Sequence, residues 1–253
     1  AARSRPSRPS GVPTPDGMKN LKKENVAATT QKPVNINNKR IYLCGDIMYD
    51  NAVYYKSVAQ KNSTILKKYN LTTGKFILLT IHRPDNTNDP KALVNILAAC
   101  NEISVKNNLP VFFSIHPRTS AVIKNKISSQ IIKKIKSNPD FIFAPPVSYL
   151  DMIQLEVNAH SIFTDSGGVQ KEAYFYSKPC LILLAETPWV ELIESGCAYL
   201  VANNPVKIKK AFDKIVKQYG KYKFKRNLYG NGQTAEFVCQ KISGAFYTDY
   251  LRV

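Results

Sequence analysis

Ser161-Ile162-Phe163-Thr164-Asp165-Ser166-Gly167-Gly168-Val169-Gln170-Lys171-Glu172-Ala173 runs from an apolar segment, through a small hydroxyl-bearing turn, into helical spacing. A strand that ends this way and opens a helix presents unpaired backbone N–H groups above the sheet, where an anion such as phosphate fits. Gly167 and Gly168 lack Cβ atoms and let an anion approach the main chain, and Ser166 adds a hydroxyl donor. Glu172 follows about one turn further along, where a carboxylate can accept hydrogen bonds from sugar hydroxyls. Taken alone, the turn reads equally well as a plain helix start with Ser or Asp as its N-cap.

The flanking chain changes that balance. Phe76 to Ile81, Val111 to Ile115, Phe141 to Phe143, Cys180 to Leu184 and Ala198 to Val201 are short apolar runs, and Arg40 to Leu43 reads as an earlier strand. Between them lie segments with helical spacing. The clearest follows Pro90, where Leu93, Ile96, Leu97, Cys100 and Ile103 share one face. Others are expected over 48–68, 120–135, 149–158, 207–219 and 235–246. Strands that are apolar throughout and alternate with helices imply an α/β fold, a parallel sheet covered on both faces.

In such a sheet, ligands bind beyond the carboxyl ends of the strands. His82, Arg83, His116, Arg118, Asp165 and Ser166 all come directly after apolar runs and are expected to gather along that edge. Arg grips phosphate with paired donors, and His is neutral or charged near pH 7, so it can bind phosphate or move a proton. Two His, two Arg and a Ser-Gly-Gly turn on one edge describe a diphosphate site.

The chain has 253 residues, enough for a buried core, and no apolar run approaches the ~20 residues of a membrane span. Cys44, Cys100, Cys180, Cys197 and Cys239 are scattered without metal-ligand spacing, which points to reduced thiols in a soluble cytoplasmic protein. The formal charge of +18 raises the question of nucleic acid. The lysines are spread over helix-like segments and no nucleic-acid module is recognisable, so solvated helix faces are the favoured reading; a basic surface also suits a nucleoside diphosphate. Residues 1–17 use Arg, Pro, Ser and Gly, unlike the Lys, Asn and Ile of the rest, and read as a disordered or non-native leader before a domain spanning 18–253.

His82-Arg83-Pro84-Asp85-Asn86, His116-Pro117-Arg118, Thr164 to Ala173 and Glu186-Thr187-Pro188-Trp189-Val190-Glu191 stand in the order seen in non-hydrolysing UDP-N-acetylglucosamine 2-epimerases. The chain resembles that family from about Met18 to its end, and Gly45-Asp46-Ile47-Met48-Tyr49-Asp50 resembles the segment that leads into the family's second domain. The resemblance implies a Rossmann-like three-layer parallel sheet, the second domain of a GT-B arrangement. It implies interconversion of UDP-GlcNAc and UDP-ManNAc, through elimination of UDP and re-addition on the other face. It also implies that Ser166, Gly167 and Gly168 hold the diphosphate, that Glu172 binds ribose, and that His82 is the active-site histidine. Arg83, His116 and Arg118 would line the cleft, with the uracil near the Pro146 to Tyr149 loop and no cofactor or metal.

The family's first domain, which carries its acidic catalytic residues, has no counterpart in the chain, so UDP binding without epimerisation is expected of the chain alone. A homodimer is left open. Leu184-Ala185-Glu186-Thr187-Pro188 departs from the family's Arg-x-Glu-Thr-Glu, and Asp85 stands where Glu is usual. The competing readings are the donor domain of a GT-B glycosyltransferase, and a non-catalytic sugar-nucleotide or nucleic-acid-binding domain.

Overall fold

The computed structural model describes residues 10–26, 40–224 and 227–250, with side chains to residue 243. In chain order the elements are β1 (Ser10–Val12), α1 (Pro15–Lys23), β2 (Ile41–Leu43), α2 (Ile47–Asn62), α3 (Ile65–Lys68) and β3 (Ile77–Ile81). They continue with α4 (Pro84–Thr87), α5 (Pro90–Asn107), β4 (Val111–Ile115), α6 (Pro117–Lys126), α7 (Ser129–Lys136), β5 (Phe141–Ala144) and α8 (Tyr149–Asn158). Then come β6 (Ser161–Thr164), α9 (Gly167–Phe175), β7 (Cys180–Ile182), α10 (Val190–Glu194), β8 (Ala198–Leu200), α11 (Pro205–Gln218) and α12 (Thr234–Tyr250). No described helix is long and apolar enough to cross a membrane.

β3 to β8 form a six-stranded sheet, parallel throughout, in the order β5-β4-β3-β6-β7-β8. This is the doubly wound Rossmann order, and the winding reverses between β3 and β6, which is where such sheets open a crevice at their carboxyl edge. The strands alternate their side chains across the sheet. Ile77, Leu79, Ile81, Val111, Phe113, Phe163 and Leu181 join Leu93, Ile96, Leu97, Cys100 and Ile103 of α5 and Ile208, Phe212 and Ile215 of α11 in one buried cluster. Leu78 and Phe112 are equally buried but lie outside it, and Tyr69 meets Phe112 edge-on with ring centroids 4.9 Å apart. Burial of this kind is worth roughly 1.5–3 kcal/mol for each large aliphatic side chain, so the central strands hold the site edge rigidly.

The described chain divides into two compact units. Tyr55–Phe224 contains the six-stranded sheet; the described residues up to Tyr54 and from 227 onward make the other. In the smaller unit β2 pairs in parallel with β1, Ser10 opposite Ile41 and Val12 opposite Leu43. Within the segment 1–17 read as a leader, residues 10–17 are ordered as β1 and the start of α1; the first nine lie outside the described residues. The physical reason is local. Thr14 caps α1 by accepting from the Gly17 N–H at 3.2 Å, with Pro15 and Asp16 in the first turn.

In the same unit, Gly45 and Gly230 have φ of +83° and +93°, and a Cβ on Gly45 would stand 3.1 Å from the Gly230 Cα. Only glycine accommodates both the left-handed angles and this approach. Asp46 accepts from the Met48 N–H at 2.9 Å, and Asp50 accepts from the Ala235 N–H of α12 at 2.7 Å. Two helices expected as one over 120–135 are α6 and α7, broken at Ile127, whose extended backbone returns a buried side chain to the core before Ser128 starts the next turn.

Candidate functional site

The buried carboxylate of Asp165 organises the carboxyl edge. It follows β6, is fully buried, and accepts from the His82 N–H (3.0 Å to each oxygen), the Arg83 N–H (2.9 Å) and the Asn86 side-chain amide (3.0 Å). Asn86, itself 1% exposed, also donates to the Leu183 carbonyl at 2.8 Å. One aspartate and one asparagine thus tie together the ends of β3, β6 and β7 at the point where the winding reverses. Beneath them the Thr80 and Thr164 hydroxyls meet at 2.6 Å across β3 and β6, and the Thr164 hydroxyl accepts from the Ser166 N–H at 2.9 Å.

Ser166 occupies the N-cap of α9, but its side chain makes no capping hydrogen bond. The helix-start reading of the turn therefore does not use the hydroxyl, which stays available to a ligand beside the first N–H groups of α9. A Cβ at Gly167 would lie 3.8 Å from Arg83 Nη2 and 3.4 Å from Trp189 Nε1, so the guanidinium sits next to the glycine turn. Gly168 follows in the first turn of α9, and Glu172 lies one turn further on.

His82 Nδ1 lies 3.3 Å from Asp165 Oδ1. Burial is the largest influence on His82 and holds its pKa below the ordinary imidazole range; Asp165 opposes this, while the charges of His116, Arg83 and Arg118 reinforce it. A neutral imidazole with a carboxylate at Nδ1 keeps its proton there and leaves Nε2 as an acceptor. His116, the exposed N-cap of α6, does the reverse. Its Nδ1 accepts from the Arg118 N–H at 3.2 Å, so in the neutral ring the proton sits on Nε2. The two rings are 5.3 Å apart between centroids. Arg118 is exposed at the rim, where its guanidinium donates to Asn88 Oδ1 at 2.9 Å.

The structure thus brings His82, Arg83, His116, Ser166 and Gly167 to one edge, and places Arg118 at its margin. The Thr187 loop, where the sequence departs from the family pattern, is anchored to α9. Thr187 donates to Gln170 Oε1 at 2.7 Å, Trp189 Nε1 donates to the Gly167 carbonyl at 3.0 Å, and Lys171 Nζ lies 4.4 Å from the centre of the Trp189 ring. Asn86 and Gln170 were not singled out from the sequence, and Asp165 only as one polar residue among several. Their one advance signal was polar chemistry directly after, or one turn beyond, an apolar strand.

The sequence model of the UDP-N-acetylglucosamine 2-epimerase family matches residues 4–243. The chain belongs to that family. Among its relatives, a Methanococcus maripaludis UDP-N-acetylglucosamine 2-epimerase homolog is 36% identical over 225 residues, 88% of this chain and 57% of the relative. A Pseudomonas aeruginosa UDP-2,3-diacetamido-2,3-dideoxy-D-glucuronate 2-epimerase is 34% identical over 238 residues, 91% of this chain and 58% of the relative. The crystal structure of Methanocaldococcus jannaschii UDP-GlcNAc 2-epimerase in complex with UDP-GlcNAc and UDP superposes with a TM-score of 0.77 at 32% identity, covering 91% of this chain and 59% of that one. The family chain described here therefore spans less than three-fifths of the length of these relatives.

Proposed function

We propose that this chain is the UDP-binding part of an enzyme that inverts C2 of a UDP-linked 2-acetamido sugar, with UDP-GlcNAc and UDP-ManNAc as the expected pair. The observation that carries the reading is the seating of the Ser166-Gly167-Gly168 turn at the winding reversal between β3 and β6, with Arg83 beside Gly167. In this reading the α9 N-terminus, the Ser166 hydroxyl and Arg83 receive the diphosphate, and stabilise it as a leaving group when the C1–O bond breaks. His116 offers Nε2–H as a donor and His82 offers Nε2 as an acceptor, so the pair can hold or pass one proton near the departing UDP. Glu172 accepts from the ribose hydroxyls.

Removal of the C2 proton needs a positioned carboxylate, and the part of the relatives' length that this chain does not span supplies it. The buried thiols of Cys100, Cys180 and Cys197 fit a reducing, cytoplasmic setting.

Calorimetric titration of UDP into the chain, beside Ser166→Ala and His82→Ala, tests the binding half of this reading. Incubation with UDP-GlcNAc, with and without the remaining portion of a family member supplied in trans, tests the other. Binding weakened by both substitutions and conversion only with the added portion are expected. UDP affinity unchanged in both variants, or UDP-ManNAc formed by the chain alone, overturns it.

A further inference from the structure

Trp189 is the only tryptophan of the chain, and its half-buried side chain reaches from the loop after β7 to the start of α9. The indole Nε1–H donates to the Gly167 carbonyl at 3.0 Å. Two further hydrogen bonds hold the loop that carries it. The Trp189 N–H donates to the Thr187 hydroxyl at 3.2 Å, and that hydroxyl donates to Gln170 Oε1 at 2.7 Å. Gln170 is 1% exposed, and its Nε2 meets no acceptor among the described residues. A buried amide left half-satisfied is costly where an apolar side chain would pack freely; what this amide provides is the hold on Thr187. Lys171 Nζ, 4.4 Å from the ring centre, steadies the indole from its face.

The carbonyl that Trp189 grips belongs to the first peptide unit inside α9. A peptide unit is planar and trans, so its C=O and N–H point in opposite directions. The indole holds one end of that plane, and the N–H at the other end is that of Gly168. This is one of the first N–H groups of α9, which have no acceptor within the helix, and the Ser166 side chain does not cap them. Two successive glycines give the plane little steric restraint of its own.

We propose that Trp189 is a positioning residue for the diphosphate site: by holding the Gly167 carbonyl it locks the Gly167–Gly168 peptide plane and keeps the Gly168 N–H aimed at the phosphate oxygens that the turn receives. This rests on the Ser166-Gly167-Gly168 turn being the diphosphate cradle. Hydrogen bonds at the two ends of one peptide unit polarise each other, so a phosphate that accepts from Gly168 strengthens the indole bond to Gly167, and the reverse. The loop after β7 thereby sets how firmly the start of α9 grips an anion.

A single tryptophan gives a single indole N–H resonance, so the wild-type chain carries its own probe. In the full chain, isotope-labelled at nitrogen, saturating UDP is expected to move that resonance downfield as its hydrogen bond strengthens. The same excess of uridine, which has no phosphate, is expected to leave it in place. Trp189→Phe keeps a ring face for Lys171 and removes the donor. Calorimetry is expected to find its UDP affinity lowered about fivefold to tenfold, the equivalent of one neutral hydrogen bond. An indole resonance that UDP leaves in place, or moves no further than uridine does, overturns the assignment whatever the affinities. Wild-type affinity in Trp189→Phe overturns it too, and Ser166→Ala then tells the two failures apart. If Ser166→Ala also binds UDP as the wild type does, the diphosphate reading itself has failed. If Ser166→Ala alone weakens binding, that reading stands and Trp189 has no part in it.

Discussion

His82 and His116 stand with ring centroids 5.3 Å apart, yet their ring nitrogens are engaged in opposite senses: Asp165 faces Nδ1 of His82, while Nδ1 of His116 accepts a backbone N–H. The same residue type therefore presents an acceptor on one side of the edge and a donor on the other. This follows from two different strand ends. After β3 the chain meets a buried carboxylate, and after β4 the histidine itself begins a helix.

The two histidines are expected to separate in stability. Asp165 holds His82 through its backbone N–H, which His82→Ala retains, so that substitution costs less than about 1 kcal/mol. His116→Ala removes the cap of α6 and costs about 1 kcal/mol. Urea unfolding of both variants checks the order, and calorimetry is expected to find UDP affinity reduced in each.

Gly167→Ala is expected to leave stability within about 1 kcal/mol, since Gly167 has no left-handed angle and Ala suits a helix. Its methyl, 3.8 Å from Arg83 Nη2, intrudes where phosphate would approach, and UDP affinity is expected to fall about tenfold or more. Unchanged affinity in a well-folded variant would rule the turn out as a phosphate cradle.

Asp165→Asn puts an amide N–H where the carboxylate accepts from His82, Arg83 and Asn86. A buried donor facing donors is unsatisfied, and the expected loss is about 3 kcal/mol in urea unfolding. UDP binding is expected to weaken as well, because the turn bearing His82 and Arg83 loses its anchor.

His160 supplies a pH signature away from the site. It stacks on Tyr219 at 4.2 Å between centroids, and burial, with Lys178 adding to it, lowers its pKa to about 4. The unfolded chain binds a proton near pH 6.5 that the folded ring refuses, so this stability is complete above about pH 6.5 and is lost as pH falls toward 4. The loss is at most roughly 3 kcal/mol. His160→Phe keeps the stack, and its unfolding free energy is expected to fall less over that interval; equal losses would refute the assignment.

Much of the sheet was legible because β3 and β4 are apolar but for Thr80 and Ser114 and end in polar turns, as expected of a parallel, doubly covered sheet. The edge residues His82, Arg83, His116 and Ser166 were legible for the same reason. What stayed hidden depends on contacts far apart in sequence: Asn86 looks like a turn residue until Leu183 and Asp165 lie on either side of it. Glu156 reads as a polar position on a short helix, and only packing of α8 against α9 reveals a buried acid. β1 and α1 were obscured by composition, although Thr14-Pro15-Asp16 carries an ordinary helix start within the arginine-rich segment.

Asp165 and His82 are separated by 83 positions, and their contact closes the loop that contains β4, β5 and α5 to α8. Contacts of such separation form only after the chain between them has lost much of its freedom. On the proposed reading, nucleotide affinity is a property of the completed sheet and is expected to be gained late in folding. A refolding chain is expected to recover its helical signal before it can retain UDP, and binding can serve as a clock for the last step of assembly.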